Sequence, residues 1–154
     1  MLFHPNRAER LAGIADQLRA ADTVTADLVT EIAAELCDRH ATYPRHIPAN
    51  IMMMIGAGVW AAAALEITRH ALPRWQLRRL AYDDGEWYCS LSSLRELPQW
   101  LDNGVETHHS NLELALLSAA IEASLTDDAL PQPTRSVPPV RAASRQALCC
   151  DNFA

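Results

Sequence analysis

The sequence predicts an α+β fold: an N-terminal helical hairpin and a long apolar central helix, packed with a two-stranded antiparallel β-hairpin and a closing C-terminal helix. Three patterns predict it. Apolar residues recur at helical spacing over residues 7–40 and again over 111–125. An uncharged run fills the middle of the chain. One alternating stretch folds back on an Asp-Gly pair.

Asn6 followed by Glu9 is a capping-box start, a side-chain acceptor with a carboxylate three residues on. Leu11, Ile14, Ala15 and Leu18 then give a helix over about 7–21. Asp22-Thr23 interrupts it. Leu28, Val29, Ile32, Ala33, Leu36 and Cys37 form the stripe of a second helix over about 25–40. So short a break favours an antiparallel helical hairpin. Residues 41–48, with Pro44 and Pro48, read as a loop.

The third helix is expected over about 49–71, stopping before Pro73. No charged side chain lies between His46 and Glu66. The strongly apolar part, Ile51 to Leu65, would span about 22 Å as a helix. That is short of the ~30 Å hydrocarbon core of a bilayer, so a buried central helix is expected and no membrane contact. Ala57, Gly58, Ala61 and Ala62 make a small-residue face that lets another helix approach closely. Gly58, Val59, Trp60 and Ala62 are therefore the expected self-association surface of a homodimer.

Trp75 to Tyr82 alternates, Asp84-Gly85 supplies the positive φ angles of a type I′ turn, and Glu86 to Ser92 alternates again. This register pairs Tyr82 with Trp87, Leu80 with Cys89 and Arg78 with Leu91 on the face expected to meet the core. Ala81 with Tyr88 and Arg79 with Ser90 fall on the other face. Leu97 to Gly104 reads as a short helical turn. Ser110 to Glu113 reads as a second capping box, opening a helix over about 111–125 with Leu114, Leu117, Ile121 and Leu125 on one face. Residues 1–126 are thus one domain. Residues 127–154, with Pro131, Pro133, Pro138 and Pro139, read as a Pro-rich mobile tail with room for a short helix near Ala142–Cys149.

Tyr82-Asp83-Asp84-Gly85-Glu86-Trp87-Tyr88-Cys89-Ser90-Leu91-Ser92, followed by Leu97-Pro98, Trp100-Leu101-Asp102, Glu106, His109 and the run Leu112 to Leu117, resembles a group of short alphaproteobacterial and phage proteins. In these a YDDGxWxCxLS hairpin precedes an LP-x-x-LD turn and an apolar C-terminal helix. The segment is also loosely similar to a small phage sandwich domain in which a hairpin packs with helices. The resemblance covers residues 80–125 and implies a fold type, with no activity attached.

The net charge is −6, and all 13 basic side chains are arginine. Without lysine, Schiff-base chemistry and lysine-dependent phosphate loops are excluded. An acidic chain is also a poor general binder of polyanions. Cys37, Cys89, Cys149 and Cys150 match no CxxC pair, and the N-terminus does not read as a signal peptide. Four reduced thiols in a cytoplasmic protein are expected, with no cofactor.

Four constellations bear on chemistry. Glu106-x-x-His109, with Glu113 beyond, has the spacing of half a carboxylate-bridged di-metal site, but no second copy exists. A metal-dependent enzyme at Glu106, His108 and His109 is the weakest of three functional readings. Cys37, His40 and His46, with Cys89 or His108, have zinc-ligand chemistry at irregular spacing. Cys89 with His108 or His109 could act as nucleophile and base, but a core-facing thiol is disarmed. Arg69, His70, Arg74, Arg78 and Arg79 form the one cluster of a single sign, with Trp75 inside it. Arg69, Arg74, Trp75, Arg78 and Arg79 are therefore the expected partner-binding set, selecting an acidic protein surface. Nucleic-acid or phosphoanion binding through the same arginines, with Trp75 stacking a base, is the alternative. The leading expectation is a non-enzymatic interaction or regulatory module.

Overall fold

The computed structural model describes residues 6–38, 46–93 and 104–129. The helical hairpin is present. In α1, Arg7–Ala20, the Asn6 side chain accepts from the Glu9 N–H at 2.9 Å, and Glu9 reaches back to the Asn6 N–H at 2.9 Å. In α2, Ala26–Cys37, Thr25 Oγ1 accepts from the Leu28 N–H at 3.3 Å. Each cap satisfies a backbone donor that the first turn leaves without a partner.

The long central helix is corrected to two helices, α3 (Ala49–Gly56) and α4 (Trp60–Ala71). The break is a glycine-terminated helix end. Gly58 sits at φ +72°, its N–H donates to the Ile55 carbonyl at 3.1 Å, and the Val59 N–H donates to the Met54 carbonyl at 3.0 Å. These two bonds are the Schellman pattern, which needs left-handed backbone at the position Gly58 fills. A Cβ there would find its nearest neighbour 3.9 Å away, on the Trp60 ring, so backbone conformation and not crowding selects glycine. Hydrophobicity alone concealed this stop.

The predicted two-stranded hairpin is corrected to a three-stranded antiparallel sheet. It comprises β1 (Gln76–Asp83), β2 (Glu86–Ser92) and β3 (Val105–His109), in the order β1-β2-β3. The turn has Asp84 at φ 48° and Gly85 at φ 85°. Tyr82, Ala81, Leu80 and Arg79 pair with Trp87, Tyr88, Cys89 and Ser90 as expected. Leu77, not Arg78, lies opposite Leu91, because the register shifts between Leu77 and Arg79. This bulge takes Arg78 out of the ladder. β3 extends the sheet, with Thr107 opposite Cys89 and His108 opposite Tyr88. Its five residues alternate in burial, a period of two too short to stand out in the sequence.

α5, Leu112–Ala129, closes the core over β2, β3, α1 and α4. Asn111 Oδ1 accepts from the Leu114 N–H at 3.1 Å, so Asn111 caps it in place of the expected Ser110. Leu114, Leu117, Ile121 and four alanines of this helix are buried, and they meet Leu11 and Leu18 of α1 and Ile67 of α4 in a single core. Arg7 pairs with Asp128 and donates to Ser124 Oγ at 3.2 Å, tying the first helix to the last. α5 runs beyond the expected domain boundary at residue 126, and Asp127 is part of the folded unit. The expected turn over 97–103 and the expected tail from residue 130 onward lie outside the described residues. Among the described residues, no helix is long and apolar enough to cross a membrane.

Candidate interaction surface

Of the five-residue partner-binding set, Trp75 is buried, and Arg69 and Arg74 are paired within the fold. Arg69, near the end of α4, bonds back to Glu66 through Nε at 2.9 Å and through Nη2, and Asn50 of α3 donates to the same carboxylate at 3.0 Å. The hydrogen bond from Arg69 holds the Glu66 carboxyl below its ordinary range, burial opposes this, and the Arg69 charge and Asn50 assist. The Arg69 charge is thus spent within its own helix turn. Arg74 Nη2 bonds Asp127 Oδ1 at 3.0 Å, and Trp75 Nε1 donates to the same oxygen at 3.3 Å. Trp75 is only 4% exposed, so its faces meet the core and cannot stack a base. Arg78 and Arg79 are exposed on β1.

The self-association set divides likewise. Gly58 and Val59 are exposed, while Trp60 and Ala62 are half-buried and Trp60 packs against the core. Two residues that sequence reasoning passed over complete the exposed part: Met52 and Met53, the latter 69% exposed. With Gly56, Ala57, Gly58 and Val59, they form an uncharged corner where α3 turns into α4. The Met52-Met53-Met54 run was the available signal, since one continuous helix could not bury every side of it.

β3 separates the candidate metal residues. Its alternation puts Glu106 and His108 on the open face of the sheet and His109 on the helix side. There His109 Nδ1 accepts from the Asn111 N–H at 3.0 Å, shaping the entry to α5. His108 Nδ1 lies 3.0 Å from Glu86 Oε2, and its ring sits 5.7 Å from that of Tyr88. Glu113 is in the first turn of α5. Among the described residues no three His, Cys, Asp or Glu side chains are grouped to hold a metal ion. A groove of 430 Å³ runs along the outer edge of β3 beside α1 and α5, where Glu106, His108 and His109 reach it from both faces together with Arg19 and Glu122, and Arg19 bonds Glu122 at 3.3 Å.

Cys37 and Cys89 are fully buried, and burial pushes both thiols up to about 11. Neither is an armed nucleophile. Both are expected to stay silent toward a disulfide reagent at pH 8 and to react fully in denaturant, read by absorbance. The unfolded chain loses these protons near the ordinary value of 9.0, and the folded chain only near 11. Their contribution to stability is therefore complete below pH 9 and is lost as pH rises from 9 to 11. Urea midpoints at pH 8 and pH 10.5 should differ less in the Cys37→Ala, Cys89→Ala chain than in the parent.

The helix side of β1 is the second bare apolar surface. Leu77, Leu80 and Tyr82 share the face of Trp87, Cys89 and Leu91, yet Tyr82 is 61% exposed and Leu80 39%. α5 packs over β2 and β3, so the strand lies beyond the helix layer. The Tyr82 and Trp87 rings pack tilted at 52°, with centroids 5.1 Å apart. Comparison of the chain with family models, with curated proteins and with solved structures gave no match.

Proposed function

We propose that this protein is a small non-enzymatic interaction module that associates with itself and that, separately, docks a protein partner through the uncharged α3–α4 corner. The observation that supports this is the exposure of Met52, Met53 and Val59 in a stretch with no charge between His46 and Glu66. A contiguous bare apolar surface is costly in water and is characteristic of a docking site. Methionines suit such a site, because their flexible side chains fit varied partners. Of the arginines expected to select an acidic partner, Arg69 and Arg74 answer Glu66 and Asp127, so this reading rests on the apolar corner.

Two measurements test the reading. Sedimentation velocity from about 1 to 100 µM should show a reversible rise in mass; a monomer throughout overturns self-association. Met53→Glu with Val59→Glu should elute earlier from a phenyl matrix, with the unfolding free energy moved by no more than about 0.5 kcal/mol, as for exposed sites. A loss of several kcal/mol would make the corner a structural element and overturn the docking role.

A further inference from the structure

β1 is an edge strand: among the described residues no strand lies on its outer side. The bulge between Leu77 and Arg79 leaves one regular segment, Arg79-Leu80-Ala81-Tyr82-Asp83. Read in either direction from Ala81, this segment matches its own reverse: apolar residues one step away, opposite charges two steps away. We propose that two copies of the chain pair antiparallel along β1 about a two-fold axis at Ala81, joining their sheets into one of six strands.

The backbone agrees with this centre. The two-residue turn closes on Asp83 and Glu86, so ladder alternation directs the N–H and C=O groups of Asp83, Ala81 and Arg79 toward β2. Those of Leu80 and Tyr82 point outward. Centred on Ala81, the Leu80 N–H donates to the Tyr82 carbonyl of the second copy, and the Tyr82 N–H of that copy donates to the Leu80 carbonyl. The symmetry repeats both bonds. Leu80 and Tyr82 from each copy then cover one another on the helix side, beside the Tyr82–Trp87 ring pair. On the open face Arg79 of each copy meets Asp83 of the other, a favourable cross-strand pair. Ala81 meets Ala81 at the axis, where a small side chain permits the close approach of a non-hydrogen-bonded pair. Parallel in-register pairing would set Arg79 beside Arg79 and Asp83 beside Asp83, and is disfavoured. Arg79 and Asp83 are both exposed, and neither has an ion-pair partner among the described residues.

The inference rests on the self-association reading and gives it a location away from the α3–α4 corner, which it leaves open for a different protein. Arg79→Asp and Asp83→Arg are surface changes whose fold is checked by circular dichroism. Each alone sets like charges together twice, so each should dissociate about tenfold more readily in sedimentation velocity at low salt. Mixed together, the two variants should regain the parent's association. The carboxylate introduced into one chain then faces the guanidinium introduced into the other, and the unchanged Asp83 of the first faces the unchanged Arg79 of the second. Oxidation of Ala81→Cys, in a chain also carrying Cys149→Ser and Cys150→Ser, should give a covalent dimer, since the Cα atoms of such a pair approach to disulfide range. If the parent associates but the single variants match it, and Ala81→Cys gives no dimer, β1 is not the interface while self-association stands. If the parent is monomeric to 100 µM, both fall.

Discussion

Trp75→Ala is expected to destabilise the fold by about 3–5 kcal/mol in urea denaturation, the range for deleting a large buried aromatic. Trp75 is 4% exposed and is the point where the chain leaves α4 and enters the sheet. Its N–H is committed to Asp127 Oδ1 at 3.3 Å, which also receives Arg74 at 3.0 Å. Substitution of the carboxylate separates the polar from the packing contribution. Asp127→Leu leaves the indole N–H buried without that acceptor, at about 1–3 kcal/mol. Trp75→Phe keeps most of the packing and should cost less than Trp75→Ala. Had Trp75 been a nucleobase platform, Trp75→Ala would leave stability nearly unchanged, and that result would refute its placement in the core.

Leu117→Ala should cost about 2–5 kcal/mol, the penalty for truncating a leucine that neighbours cannot fully collapse upon. Leu117 is fully buried on α5, the helix that touches α1, α4, β2 and β3. Leu65→Ala is the matched comparison: the same change at a side chain 41% exposed on α4 should cost well under half as much. Equal losses at the two positions would mean that α5 is not the centre of the core.

These anchors mark where the sequence was and was not readable. Local signals transferred well. The Asn6/Glu9 box, the Leu11-to-Leu18 stripe and the Asp84-Gly85 turn each depend on residues within a few positions, and each reads as expected. What required knowledge of distant neighbours did not transfer. Trp75 lies among arginines in sequence, and only the return of α5 some fifty residues later brings the Asp127 carboxylate to its N–H. β3 becomes a strand because β2 supplies its ladder, not because five alternating residues compel it. Gly58 was legible as a small residue on a helix face, whereas its left-handed φ follows from how α3 ends. The metal-spaced residues part for the same reason. Glu106 and His109 share a helical spacing, but on a strand three residues apart means opposite faces.

The bond between Arg7 and Ser124 joins positions 117 apart in the chain. Ribosomes deliver the amino end first. The apolar stripes of α1 and α4 are therefore made long before the helix that completes their cover. A nascent polypeptide halted before Leu112 should be digested readily by added protease, and one extended past Ala129 should resist, so maturation of this molecule is a single late event governed by its last helix.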